Sequence, residues 1–97
     1  MVIRALDLVR QCYTQADGEK VFKELLPRLQ RGERVSLSFE GVETVPSSFV
    51  NTSLIHLLDK VSFETIKQNL RFVDTTRQIN EMIKRRFDFE VNQRHLQ

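Results

Sequence analysis

The sequence predicts an α/β fold: one small mixed β-sheet covered by about three helices. Three observations carry this expectation. Segments that alternate apolar and polar residues take turns with segments whose apolar residues recur every three or four positions, in the order strand, helix, strand, helix, strand, helix. Each helical segment has a single apolar stripe, so it must lie against a sheet face, and this alternation favours at least one parallel strand pair. With 97 residues the chain is long enough for one core and too short for two. Residues 1–97 are therefore read as a single domain, its core spanning about 2–91 and its last residues, 92–97, forming a frayed tail.

The first segment, Val2 to Val9, is aliphatic and alternates imperfectly, with Leu6 and Leu8 on one side of Asp7; it reads as an opening strand. Residues 10–18 form a polar connection, and Asp17 is placed to cap the helix that follows. That helix carries Val21, Phe22, Leu25, Leu26 and Leu29 on one stripe, with Glu19, Lys20, Lys23, Glu24 and Arg28 opposite. Pro27 should kink it or loosen its last turn, and Gly32 should stop it. Val35-Ser36-Leu37-Ser38-Phe39 alternates strictly and is the clearest strand. Glu40 to Glu43 reads as a turn. Ser47 or Ser48 then serves as N-cap of a second helix running to about Lys60, with Val50, Leu54, Leu57, Leu58 and Val61 buried and Phe49 on the margin of that stripe.

Residues 62–66 read as a short turn and Asn69 to Val73 as a third strand, with Leu70 and Phe72 on one side. Thr75 and Gln78 have capping-box spacing at the start of a last helix, whose stripe is Ile79, Met82, Ile83 and Phe87. The run Phe87-Asp88-Phe89-Glu90-Val91 alternates apolar and acidic residues, as a short edge strand would.

Charge and composition narrow the function. Fifteen Lys and Arg stand against thirteen Asp and Glu, and 40% of residues are hydrophobic, the balance of a soluble globular domain. The first 48 residues carry seven basic and seven acidic groups, the rest eight and six, so basic charge is not gathered as a nucleic-acid binder gathers it. The one dense cluster, Lys84-Arg85-Arg86, is expected near the end of the last helix, where cations complement the helix dipole; its alternative use is contact with nucleic-acid phosphates. A single cysteine, Cys12, makes no intramolecular disulfide, and neither a signal-peptide pattern nor a membrane-length apolar run is present, so a cytoplasmic location is expected. His56 and His95 are isolated, the three glycines are too scattered to cradle a phosphate, and no carboxylate pair stands out. No metal, no cofactor and no enzymatic activity are expected.

The block from Arg34 to Asn51, a strand ending in Phe39, a Gly41-Val42 turn, a serine step and Ser48-Phe49 opening a helix, resembles the STAS family of sulphate transporters and anti-sigma factor antagonists, in its bacterial STAS-like branch of unknown function. The helix start at Asp17-Gly18-Glu19 and the strand near Phe72 extend the resemblance over roughly residues 15–87. It implies a non-catalytic regulatory module that works by protein–protein contact. In anti-sigma factor antagonists a serine of an Asp-Ser-Ser-Gly motif is phosphorylated by a partner, a histidine-kinase-like ATPase serine kinase that is also the anti-sigma factor. Carried over here, that serine falls on Ser47, with Ser48 beside it, while Pro46 and Phe49 replace the flanking Asp and Gly. The resemblance thus implies a partner-binding face over Val45, Pro46, Ser47, Ser48, Phe49 and Asn51, with Ser47 or Ser48 as a switch. Two alternatives belong to other classes: a nucleic-acid-associated regulator using Lys84, Arg85 and Arg86, and a module that senses a small anion at the serine step.

Overall fold

Nine segments follow one another in the computed structural model, which describes residues 1–95. They are β1 (Val2–Arg4), α1 (Ala5–Leu8), α2 (Gln15–Gln30), β2 (Val35–Ser38), α3 (Ser47–Ser53), a 3₁₀ helix (Ile55–Asp59), α4 (Phe63–Asn69), β3 (Leu70–Val73) and α5 (Arg77–His95). The three strands form one sheet in the order β1-β2-β3. Both pairs are parallel, with Ile3 beside Leu37 and Leu37 beside Phe72. The α/β class is as the sequence predicts, and the sheet is parallel throughout rather than mixed. The reason is connectivity: every strand is joined to the next by a helical crossover, and a crossover returns the chain in its original direction.

The strands are short because local chemistry ends them early. After Arg4 the chain makes a single helical turn, closed by the Val9 amide on the Ala5 carbonyl at 3.1 Å, so the imperfect alternation of residues 2–9 is a strand followed by a turn of helix. α2 starts earlier than Asp17. Thr14 is its N-cap, accepting from the Asp17 amide while the Asp17 carboxylate accepts from the Thr14 amide, a reciprocal capping box. Burial pushes the Asp17 carboxyl up, but the Thr14 and Tyr13 amides, the Thr14 hydroxyl and Lys20 outweigh it and hold the group below its ordinary value.

α2 continues through Pro27 to Gln30. Pro27 and Lys23, whose carbonyl the proline leaves without its helical donor, both lie on the exposed side. The end is firm rather than loose. Gly32, at φ +76°, donates to the Leu29 carbonyl at 3.0 Å, and the Glu33 amide donates to the Arg28 carbonyl at 3.0 Å, which closes a Schellman turn.

Three further segments differ from expectation. The second predicted helix stops at Ser53, because the Thr52 and Ser53 hydroxyls bond back to the Phe49 carbonyl and the chain tightens into the 3₁₀ helix. Residues 63–69 form a helix, capped by the Ser62 hydroxyl accepting from the Thr65 amide at 3.1 Å. The run from Phe87 to Val91 is helical, because Phe87 continues the buried stripe of Ile79 and Ile83 and Arg86 reaches Glu90 one turn on at 3.1 Å. Helix also occupies most of the expected tail, with Arg94 bonding Asp59 at 2.8 Å; Leu96 and Gln97 lie outside the described residues.

The core lies between the sheet and the helices. Ile3, Val35, Leu37 and Leu70 enter it from the sheet, Val21, Leu25 and Leu29 from α2, Phe49 and Val50 from α3, and Ile79, Ile83 and Phe87 from α5. Strands in sequence order, joined by right-handed crossovers, place both connections on one face. β1 agrees, with Ile3 buried and Val2 and Arg4 exposed; on β2 the outer face is half-buried at Ser36 and covered at Ser38, where the Asp74 loop folds over it. Among the described residues no helix is long and apolar enough to cross a membrane.

Candidate functional site

In a parallel sheet with helical crossovers, the loops leaving the C-terminal ends of the strands gather at one rim. Here those loops are residues 9–14 after α1, residues 39–46 after β2 and residues 74–76 after β3. The rim is built by hydrogen bonds between them. The Ser38 hydroxyl, at the end of β2, donates to Asp74 Oδ2 at 2.7 Å and accepts from the Glu40 amide at 3.2 Å. Asp74 is the one described non-glycine residue at positive φ, +53°, a conformation aspartate adopts more readily than bulky residues. The Val42 amide closes a β-turn on the Phe39 carbonyl at 2.9 Å, with Gly41 at φ +85° in the position that needs positive φ.

The rest of the β2–α3 loop is held by α5. The Thr76 hydroxyl donates to the Glu43 carbonyl at 2.7 Å. The Gln78 carboxamide pairs with both backbone groups of Val45, accepting from its amide at 2.9 Å and donating to its carbonyl at 3.0 Å. A side chain thereby imitates a strand partner and satisfies both polar groups of a residue only 2% exposed. The predicted capping box at Thr75 and Gln78 is thus corrected. Thr76 caps α5, accepting from the Ile79 amide at 3.3 Å, and Gln78 is committed to the loop.

The loop delivers the serine step. Pro46 is the N-cap of α3, with extended backbone and no side chain to cap with, so neither Ser47 nor Ser48 is a cap. They occupy the first two helical positions. Ser47 is exposed, and Ser48 is half-buried with its hydroxyl 3.4 Å from the Tyr13 carbonyl. Phe49 turns fully inward at 0% exposed. Val45 and Phe49 are therefore core residues, which corrects their place on a docking face; the side chains left at that face are Pro46, Ser47, Ser48 and Asn51. With seven residues, α3 is too short for a strong dipole, which weakens the small-anion alternative.

Asn51 joins the two surfaces that the sequence kept apart. Its Oδ1 accepts from Arg86 Nε at 2.8 Å, and the Arg86 guanidinium lies 5.2 Å from the Phe89 ring centroid. The 84–86 cluster is consequently split: Lys84 and Arg85 are exposed, whereas Arg86 braces α5 against α3. It also sits mid-helix in α5 rather than at its end, so its charge does not complement the dipole there.

A cleft of about 340 Å³ opens beside the serine step, lined among others by Arg10, Cys12, Tyr13, Gly41 and Glu43. Cys12 is 1% exposed, and burial, with the Asp17 charge adding to it, pushes its thiol up to about 11, so it stays protonated near neutral pH and is no nucleophile. His56 lies away from this rim, stacked on Phe22 with centroids 4.3 Å apart and 3.8 Å from Asp59. Among the described residues no three His, Cys, Asp or Glu side chains gather where they could hold a metal ion. The side chains that position the serine step carry no local mark in the sequence. Thr76 and Gln78 stood in a polar run whose spacing also suits a local cap, and nothing local marks a side chain that reaches across more than thirty residues.

No curated protein and no solved structure matches the chain significantly. Residues 17–80, from the capping box of α2 to the first turn of α5, match the model of the STAS-like domain of unknown function (DUF4325), and the chain belongs to that family.

Proposed function

We propose that this STAS-like domain is a non-catalytic regulatory module, cytoplasmic in location, that docks a protein partner at the start of α3, with Ser47 as its switch. The observation that carries the reading is the contrast at the rim: the exposed Ser47 hydroxyl is presented by a loop whose neighbouring backbone groups are bound to Thr76 and Gln78. A fixed loop offers a partner one shape, and a phosphate on Ser47 would add about −1.5 to −2 charge there without disturbing the core below. The partner that suits this reading is a histidine-kinase-like ATPase serine kinase acting as an anti-sigma factor. Pro46 and Phe49 beside the serines call for a kinase that does not read Asp and Gly at those positions. The inward turn of Arg86 favours this reading over nucleic-acid binding by the 84–86 cluster.

The test is affinity capture with the wild-type chain, Ser47→Ala and Ser47→Glu, scoring co-purified proteins and phosphate on Ser47 by mass spectrometry. Expected are phosphate on Ser47, recovery of an ATPase by wild type and Ser47→Ala, and its loss with Ser47→Glu while circular dichroism is unchanged. Equal capture by all three chains, with no phosphate on Ser47, overturns the proposal.

A further inference from the structure

A second surface lies at the opposite end of the sheet, away from the serine step. Residues aligned across a parallel sheet point to the same face. Ile3, Leu37 and Phe72 form one row, directed at the core; Val2, Ser36 and Arg71 form the next row, on the other face. Val2 is 65% exposed, Arg71 is exposed and Ser36 is half-buried. Parallel sheets are ordinarily covered on both faces, so a parallel sheet open on one side is a surface with its cover missing.

The chemistry of that face is specific. Arg34, just ahead of β2, opens onto the same cavity as Ser36 and Arg71. With Ser36, Gln68 and Asn69 these arginines line a shallow cavity of about 260 Å³. Arg4, Arg28, Arg31, Arg86 and Arg94 each meet a carboxylate of this chain; among the described residues Arg10, Arg34, Arg71, Arg77 and Arg85 meet none, and of these Arg34 and Arg71 are the pair that share one cavity. Two unpaired guanidinium groups beside amide and hydroxyl side chains are suited to bidentate recognition of carboxylates.

The adjoining edge completes the surface. The Val73 carbonyl accepts from the Phe39 amide and so faces β2, and strand alternation turns the N–H and C=O of Phe72 outward, to an edge where no described strand pairs. An open edge beside two free arginines fits an extended segment that adds as a strand and carries acidic side chains on alternate residues. A small ligand would need a deeper, more apolar enclosure. Single-stranded nucleic acid would need an aromatic to stack on, and the aromatic of this strand, Phe72, belongs to the core-facing row.

We infer that the open sheet face beside β3 docks an acidic, extended segment of a partner protein, gripped by Arg34 and Arg71. This surface is independent of Ser47 and can be tested without it. The probes are a fluorescein-labelled peptide of alternating valine and glutamate, its valine–lysine and valine–glutamine counterparts, and pyrophosphate as competitor, read by anisotropy and by amide shifts of the full chain. Expected is binding of the valine–glutamate peptide alone, with shifts centred on residues 69–73. Arg34→Ala with Arg71→Ala should weaken it at least about tenfold, the scale of losing charge-assisted hydrogen bonds. Arg34→Lys with Arg71→Lys, which keeps the charge and serves equally if the alanine pair folds poorly, should also bind more weakly than wild type. Failure of the glutamate peptide to bind, equal binding of the other peptides, equal binding by the variants, shifts confined to α5, or displacement by equimolar pyrophosphate would each overturn the inference.

Discussion

Gly18 lies where α2 crosses α3, and a Cβ built on it would fall 1.9 Å from Thr52 Oγ1 and 2.9 Å from the Phe49 carbonyl oxygen. The first obstacle is a side chain and can be removed; the second is backbone and cannot move without shifting α3. Alanine is ordinarily the better helix residue by about 1 kcal/mol, but overpacking of a tight contact costs about 1–3 kcal/mol, so the steric effect should win. Gly18→Ala is expected to lower the melting temperature, and Thr52→Ala in the same chain should recover part of the loss, leaving the share due to the Phe49 carbonyl. A double-mutant cycle from thermal or urea melts checks this; strict additivity of the two changes would show that the helices do not meet at Gly18.

At the scale of elements, what was legible in the sequence is what periodicity encodes, and what was missed is what distant partners decide. The strand at Val35–Ser38 and the stripe of α2 follow directly from spacing. The alternation of Phe87 to Val91 suits a strand equally well, and helix wins because Phe87 finds Phe63 across the core, ring centroids 5.7 Å apart, and Arg86 finds Glu90. Ser47 and Ser48 suit a cap by type, yet Pro46 takes that position, its backbone extended directly after the Val45 that Gln78 holds. The lock by Gln78 is where the element scale can be tested. Gln78→Ala leaves the two backbone groups of Val45 without partners in a buried place, which costs about 1–3 kcal/mol per group unless water enters. The expected signature is local: hydrogen exchange of the Val45 amide should rise by at least about tenfold while amides of β2 keep their protection. Unchanged exchange at Val45 would mean that the loop holds its shape without α5.

At the scale of the whole molecule, the family match and the folding unit do not coincide. The match covers residues 17–80, but Ile3, Val9, Ile83 and Phe87 are buried and lie outside it. Each fully buried side chain of this size contributes about 1.5–3 kcal/mol, so these four together contribute about 6–12 kcal/mol. A domain of this length has about 5–15 kcal/mol of net stability, so their loss removes most or all of it. Trimming also leaves β2 without β1 and so strips its edge, where the Ser36 amide donates to the Met1 carbonyl at 2.8 Å. It further removes Arg86, the brace on Asn51 beside the serine step. A chain cut to residues 17–80 is therefore expected to show no cooperative thermal transition and poorly dispersed amide resonances, whereas the full chain unfolds in one step. A cooperative melt of the short chain would mean that the sheet needs only two strands and that α5 serves the rim alone. The expected result instead makes α5 a shared element: its apolar side closes the core that the sheet opens, and its first turn holds the loop that presents Ser47.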